Sequence, residues 1–80
     1  MLEDLSSGKK VVGMKQLRKA VANGTVKTVF LACDADPLLT DPIRVLCSEK
    51  CVAIVDVPTM AELGRACGIA VSASAAGLLQ

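Results

Sequence analysis

The strongest constraint on the fold is the run at residues 26–33, V-K-T-V-F-L-A-C. It begins β-branched and turns continuously apolar, so a strand built from it must be covered on both faces. A second apolar run at 52–57, V-A-I-V-D-V, reads as another strand. The segments around these two have helical spacing instead. Met14, Leu17, Ala20 and Val21 recur as one side of a helix, and Asn23-Gly24 supplies its stop. Residues 34–37 form a turn. A second helix is expected from Asp41 or Pro42 to Lys50, with proline at its first position and Ile43, Leu46 and Cys47 facing inward. After Pro58, Thr59-Met60-Ala61-Glu62 fits a capping box that opens a third helix, which carries Leu63 and Ala66 and ends at Gly68. Residues 69–77 read as a last extended segment of small side chains, and 2–7 as an opening helical turn. Alternating strands and helices imply an α/β sandwich around a central sheet of about four strands.

Eighty residues leave room for one core, so 1–80 is read as a single domain without a deep cleft between lobes. Phe30 is the only aromatic residue. Stacking several unpaired bases on aromatic rings is therefore excluded, and any nucleic-acid contact must use charge, hydrogen bonds and aliphatic surface. The net charge of +1 conceals an uneven distribution. Lys9, Lys10, Lys15, Arg18, Lys19 and Lys27 fall in a stretch with no acid, whereas Asp34, Asp36, Asp41, Glu49, Asp56 and Glu62 follow later. A polyanion footprint on one side and an ordinary solvated basic helix face both fit that pattern.

Cys33 and Cys67 read as small core residues, Cys47-x3-Cys51 has no second pair at metal spacing, and the chain contains no His. Neither a metal nor a cofactor is expected. The N-terminus lacks the basic-then-apolar pattern of a signal peptide, and no apolar run approaches the ~18 residues of a membrane span. A cytoplasmic protein with reduced thiols is the expectation.

Three segments offer chemistry. In the first, Lys15, Gln16 and Lys19 share the side of the opening helix away from Met14, Leu17 and Val21, beside unpaired backbone N–H groups. Cations in a first turn oppose the macrodipole, and a bound anion would offset that cost. In the second, Asp34-x-Asp36 after an apolar strand resembles the aspartate-nucleophile phosphatase signature. The chain is short for that fold, however, and Pro37 stands where the signature usually has Gly; an Asp that caps the following turn also accounts for it. In the third, Ile69 and Val71 follow the Gly68 turn, where they either enter the core or present aliphatic surface to an unstacked base.

In this order, G-M-K-Q-L-R-K (13–19), A-C-D-A-D-P (32–37) and L-G-R-A-C-G-I-A-V (63–71) resemble the kink-turn-binding ribosomal protein family. These are the large-subunit L-seven-Ae and L-thirty-e type proteins and their short bacterial relatives, and the resemblance runs from about Lys10 to Leu78. It implies a three-layer α/β/α sandwich with a mixed sheet. It also implies recognition of a bent RNA helix–bulge–helix with tandem G·A pairs. Carried over by position, Gly13 permits close backbone approach, and Lys19 matches the family lysine. Lys15 and Gln16 stand where Asn and Glu are usual, which removes one acceptor for guanine N–H groups and moves contact toward phosphate. Asp36 lies where the family has an acid near a flipped-out nucleotide. Ile69, Ala70 and Val71 match the apolar loop that holds it, with Ala70 lacking the longer polar side chain common there.

The resulting expectation is a non-catalytic, monomeric RNA-binding protein acting on structured RNA, ribosomal RNA or a riboswitch among the candidates. Its site would comprise Gly13, Lys15, Gln16, Lys19, Asp36, Ile69, Ala70 and Val71. A protein-interaction domain on the same fold is the alternative. An enzyme ranks third, for lack of His and of a nucleophile–base pair.

Overall fold

A computed structural model describes residues 9–69 and 72–79. Its strands are β1 (Lys10–Val12), β2 (Val26–Ala32), β3 (Ala53–Val57) and β4 (Ala75–Leu79). Its helices are α1 (Met14–Ala22), α2 (Pro37–Lys50) and α3 (Met60–Ala66). The sheet order is β1-β4-β2-β3. β4 runs antiparallel to both of its neighbours, β1 and β2, while β2 and β3 are parallel. β1, β2 and β3 therefore all point the same way, and each leads toward a helix that starts beyond its carboxyl end.

β2 is paired on both edges and covered by helices on both faces, and that double coverage is why its later half does not alternate with polar residues. Val29 and Leu31 face one way, into a cluster with Leu17 and Val21 of α1 and Ile43 and Cys47 of α2. Phe30 and Ala32 face the other way and pack with Leu63 of α3, Cys67 and Val57. Two helices thus cover one face and one helix the other, in the expected three layers. The small residues of β4 serve close packing. A Cβ on Gly77 would lie 2.5 Å from Leu17 Cδ1 and 3.2 Å from Val26 Cγ1, so a glycine here lets α1 settle directly onto the sheet.

Two element boundaries differ from expectation. α2 starts at Pro37 and contains Pro42 internally. Asp-Pro occurs at both 36–37 and 41–42, and either could serve as cap plus first helical residue. The structure uses the first: Leu39 and Thr40 donate their N–H groups to the Asp36 carbonyl, and Thr40 is buried. Pro42 is exposed, so its ring lies toward solvent rather than in the packed face. The last strand begins at Ala75, because residues 72–74 are spent reaching the sheet. On that path Ala73 N–H donates to the Met60 carbonyl, and the Ser74 carbonyl accepts from Ala32 N–H. The opening turn expected at 2–7 lies outside the described residues.

Candidate nucleic-acid interface

The strand directions bring the starts of all three helices to one edge of the sheet, the carboxyl ends of β1, β2 and β3. Open α/β sheets commonly present ligand sites at that edge. The entry to β4 ties the edge together. Gly13 N–H reaches the Ala75 carbonyl at 3.4 Å, Ala32 N–H reaches Ser74 at 3.0 Å and Ala73 N–H reaches Met60 at 3.1 Å. Strand order is a long-range property, so no sequence signal marked residues 73–75 as this bridge.

Two of the helix starts are closed by side chains. At α2, Asp36 Oδ1 accepts from Leu38 N–H at 3.0 Å, and Pro37 has no N–H to satisfy. At α3, Thr59 Oγ1 accepts from Glu62 N–H at 3.0 Å, which is the hydroxyl half of the expected capping box. Asp34 Oδ1 accepts from Met60 N–H at 2.7 Å, tying the end of β2 to α3 across 26 residues. Each carboxylate of the Asp34-x-Asp36 pair therefore has a backbone N–H to accept from. Among the described residues, no group of three or more His, Cys, Asp or Glu is placed to hold a metal ion.

The start of α1 differs. Gly13 is its cap residue and offers no side-chain acceptor, and the first turn carries no acid. The first hydrogen bond of the helix runs from Leu17 N–H to the Gly13 carbonyl at 3.0 Å. The backbone N–H groups of Met14, Lys15 and Gln16 have no partner among the described residues. Gly13 takes φ 109° and ψ 143°, a conformation that is essentially glycine's alone. Leu17 and Val21 anchor the helix in the core, leaving Lys15, Gln16, Arg18 and Lys19 exposed.

Charge follows the same division. Arg44 on α2 is ion-paired with Asp56 on β3, and the hydrogen bond to Asp56 pushes its guanidinium pKa further up. Lys15, Arg18 and Lys19 have no such partner among the described residues. The buried thiols are not activated, since desolvation raises the pKa of both Cys47 and Cys67 and disfavours the thiolate.

The sequence of the ribosomal protein L7Ae/L30e/S12e/Gadd45 family matches residues 2–80. The chain belongs to this family. Among its relatives, an RNA-binding protein of Caldanaerobacter subterraneus is 48% identical over 68 residues, covering 85% of this chain and 83% of that protein. An RNA-binding protein of Bacillus pumilus is 44% identical over 69 residues, covering 86% and 84%. Among solved structures, the Giardia lamblia 15.5kD RNA binding protein superposes with a TM-score of 0.92 at 27% identity, over 99% of this chain and 70% of that one. The family membership read from the three motifs and the fold it implied are thus both found.

The family's expected site is only partly assembled within the described residues. Gly13, Lys15, Gln16 and Lys19 stand together at the α1 start, and Asp36 begins α2 at the same sheet edge. Ile69 is half-buried and packs against the cluster beneath α3, so part of its side chain goes to the core. Ala70 and Val71 lie outside the described residues. Arg18, Ala22 and Leu46, absent from the sequence-based site, line a groove together with Lys15, Gln16 and Lys19. The signal for it was the 15/18/22 spacing on α1, but its other wall comes from α2 and needs the packed helices to be seen.

Proposed function

We propose that this protein is a non-catalytic, ribosomal-protein-like RNA-binding protein that recognises kink-turn RNA and stabilises its bent form. The observation that carries the reading is the open start of α1: three backbone N–H groups without a partner among the described residues, beside exposed Lys15, Gln16 and Lys19. The relatives named as RNA-binding proteins support the choice of ligand. In this reading Gly13 lets the RNA approach the backbone. Gln16, which both donates and accepts, meets base edges, and Lys15 and Lys19 meet phosphate or guanine O6/N7. Asp36 sits at the rim, where its Oδ1 caps α2 while the second oxygen is directed to the RNA. Ile69, Ala70 and Val71 supply the apolar contact for a flipped-out nucleotide.

The protein acts as one domain over residues 1–80, as a monomer in the cytoplasm, on ribosomal or another structured RNA. It needs no cofactor. Binding shifts a kinked–extended equilibrium only as far as the two forms differ in affinity, so the mechanism requires discrimination between them.

Titrating a kink-turn RNA against the same RNA with its G·A pairs made Watson–Crick tests this directly. Binding to the second should fall at least about tenfold, corresponding to ~1.4 kcal/mol. Equal affinity for both removes the kink-turn claim. Lys19→Ala should weaken binding by on the order of 1–3 kcal/mol if the lysine meets a base, or chiefly flatten the salt dependence if it meets phosphate.

A further inference from the structure

The exposed surface of α1 has two ridges. Gln16, Lys19 and Asn23 border a concavity toward β1 that also includes Val11 and Thr25. Lys15, Arg18 and Ala22, at i, i+3 and i+7, border the groove against α2, whose far wall is Leu46. This second groove has an aliphatic floor, three cations on its rim and no acidic residue among its described lining residues. None of the three cations has an ion-pair partner among the described residues. Like charges packed at helical-neighbour spacing repel one another, and no carboxylate among the described residues pairs with them.

We infer that the groove between α1 and α2 is a track for the RNA phosphate backbone, with Arg18 as a phosphate-binding residue and Ala22 and Leu46 as the surface beneath the sugar. The inference rests on the RNA-binding reading and extends its footprint along the helix, away from Gly13. Three arguments favour RNA as the occupant. The lining charge is complementary to a polyanion. The groove is continuous with the open helix start, since Lys15, Gln16 and Lys19 belong to both. From Lys15 to Ala22 the helix rises about 10 Å, longer than the gap between neighbouring phosphates of one strand. An arginine fork directed at phosphate oxygens also gives a bidentate contact that the neighbouring lysines cannot.

Two substitutions test it by fluorescence anisotropy on a kink-turn RNA with full-length stems, at several salt concentrations. Arg18→Gln should weaken binding roughly three- to tenfold and reduce the slope of log K against log salt by about 0.7–0.9, as loss of one phosphate contact requires. Ala22→Glu, two turns from the helix start, should weaken binding by charge repulsion. Both residues are exposed, and thermal melts should match the unsubstituted protein. Unchanged affinity and slope in both variants, with Lys19→Ala still impaired, overturn the groove assignment and leave the proposed function standing. The groove would then suit a different occupant, such as an acidic protein segment. If instead the unsubstituted protein shows no preference for kinked RNA while both variants lose affinity for a plain duplex, kink-turn specificity fails and the groove assignment holds.

Discussion

Two kinds of helix start stand side by side at the same edge of the sheet. The starts of α2 and α3 are closed by Asp36, Thr59 and Asp34, which take up first-turn N–H groups at 2.7–3.0 Å. The start of α1 is left open by a glycine, with cations where a first turn favours acids. A glycine cap in place of Ser, Thr, Asp or Asn costs only about a few tenths of a kcal/mol, so the open start of α1 forgoes little stability. What it leaves is a set of backbone donors without a partner among the described residues, which the proposed function assigns to RNA. The contrast separates helix ends closed by the fold's own side chains from one that is not.

The largest expected effect comes from forcing a side chain onto the open start. Gly13→Ala adds a Cβ with nothing within 4 Å, so no clash arises, but φ 109° becomes strained. The protein should lose about 1–3 kcal/mol in chemical denaturation. A loss near zero would mean that the start relaxes freely and that glycine is not required there. Next comes removal of a cap. Thr59→Ala should cost about 1 kcal/mol of stability and leave RNA affinity unchanged. If it impaired RNA binding as much as Lys19→Ala, the two kinds of start would not differ in function.

Asp36 can be divided between its two roles. Asp36→Asn preserves a good cap, so its stability should stay within a few tenths of a kcal/mol, and any loss of RNA affinity then reports the rim contact alone. A change of opposite sign is expected at the far end of a helix. α2 ends with Cys51 in the left-handed conformation at φ 57°, where the N–H groups of Cys51 and Val52 reach back to Ser48 and Cys47. Cys51→Gly should raise stability by up to about 1 kcal/mol, read as a higher melting midpoint, with RNA affinity unchanged. A destabilised variant would show that the thiol's contacts outweigh the backbone strain.

Most elements were legible because their signals are local. The β2 run, the α1 period with its Asn23-Gly24 stop and the Thr59 cap each depend on residues within a turn or two of one another. The start of α2 differs from expectation because two Asp-Pro pairs carry the same local signal; the structure caps the helix with Asp36 and buries Thr40. The start of β4 was misplaced because nothing in a run of small residues says where pairing begins.

The sequence by itself determined the layered α/β architecture, the identity of the two core-facing runs and the exposed cationic side of α1. Periodicity and burial chemistry act along the chain, and a continuous apolar run has few stable solutions. Only the tertiary structure decided that β4 inserts between β1 and β2 with all three helix starts at one edge. It also decided that Gly77 admits Leu17 and that Leu46 closes a groove under Arg18. Those facts join residues separated by tens of positions, and their energies depend on which surfaces meet, which no local pattern encodes.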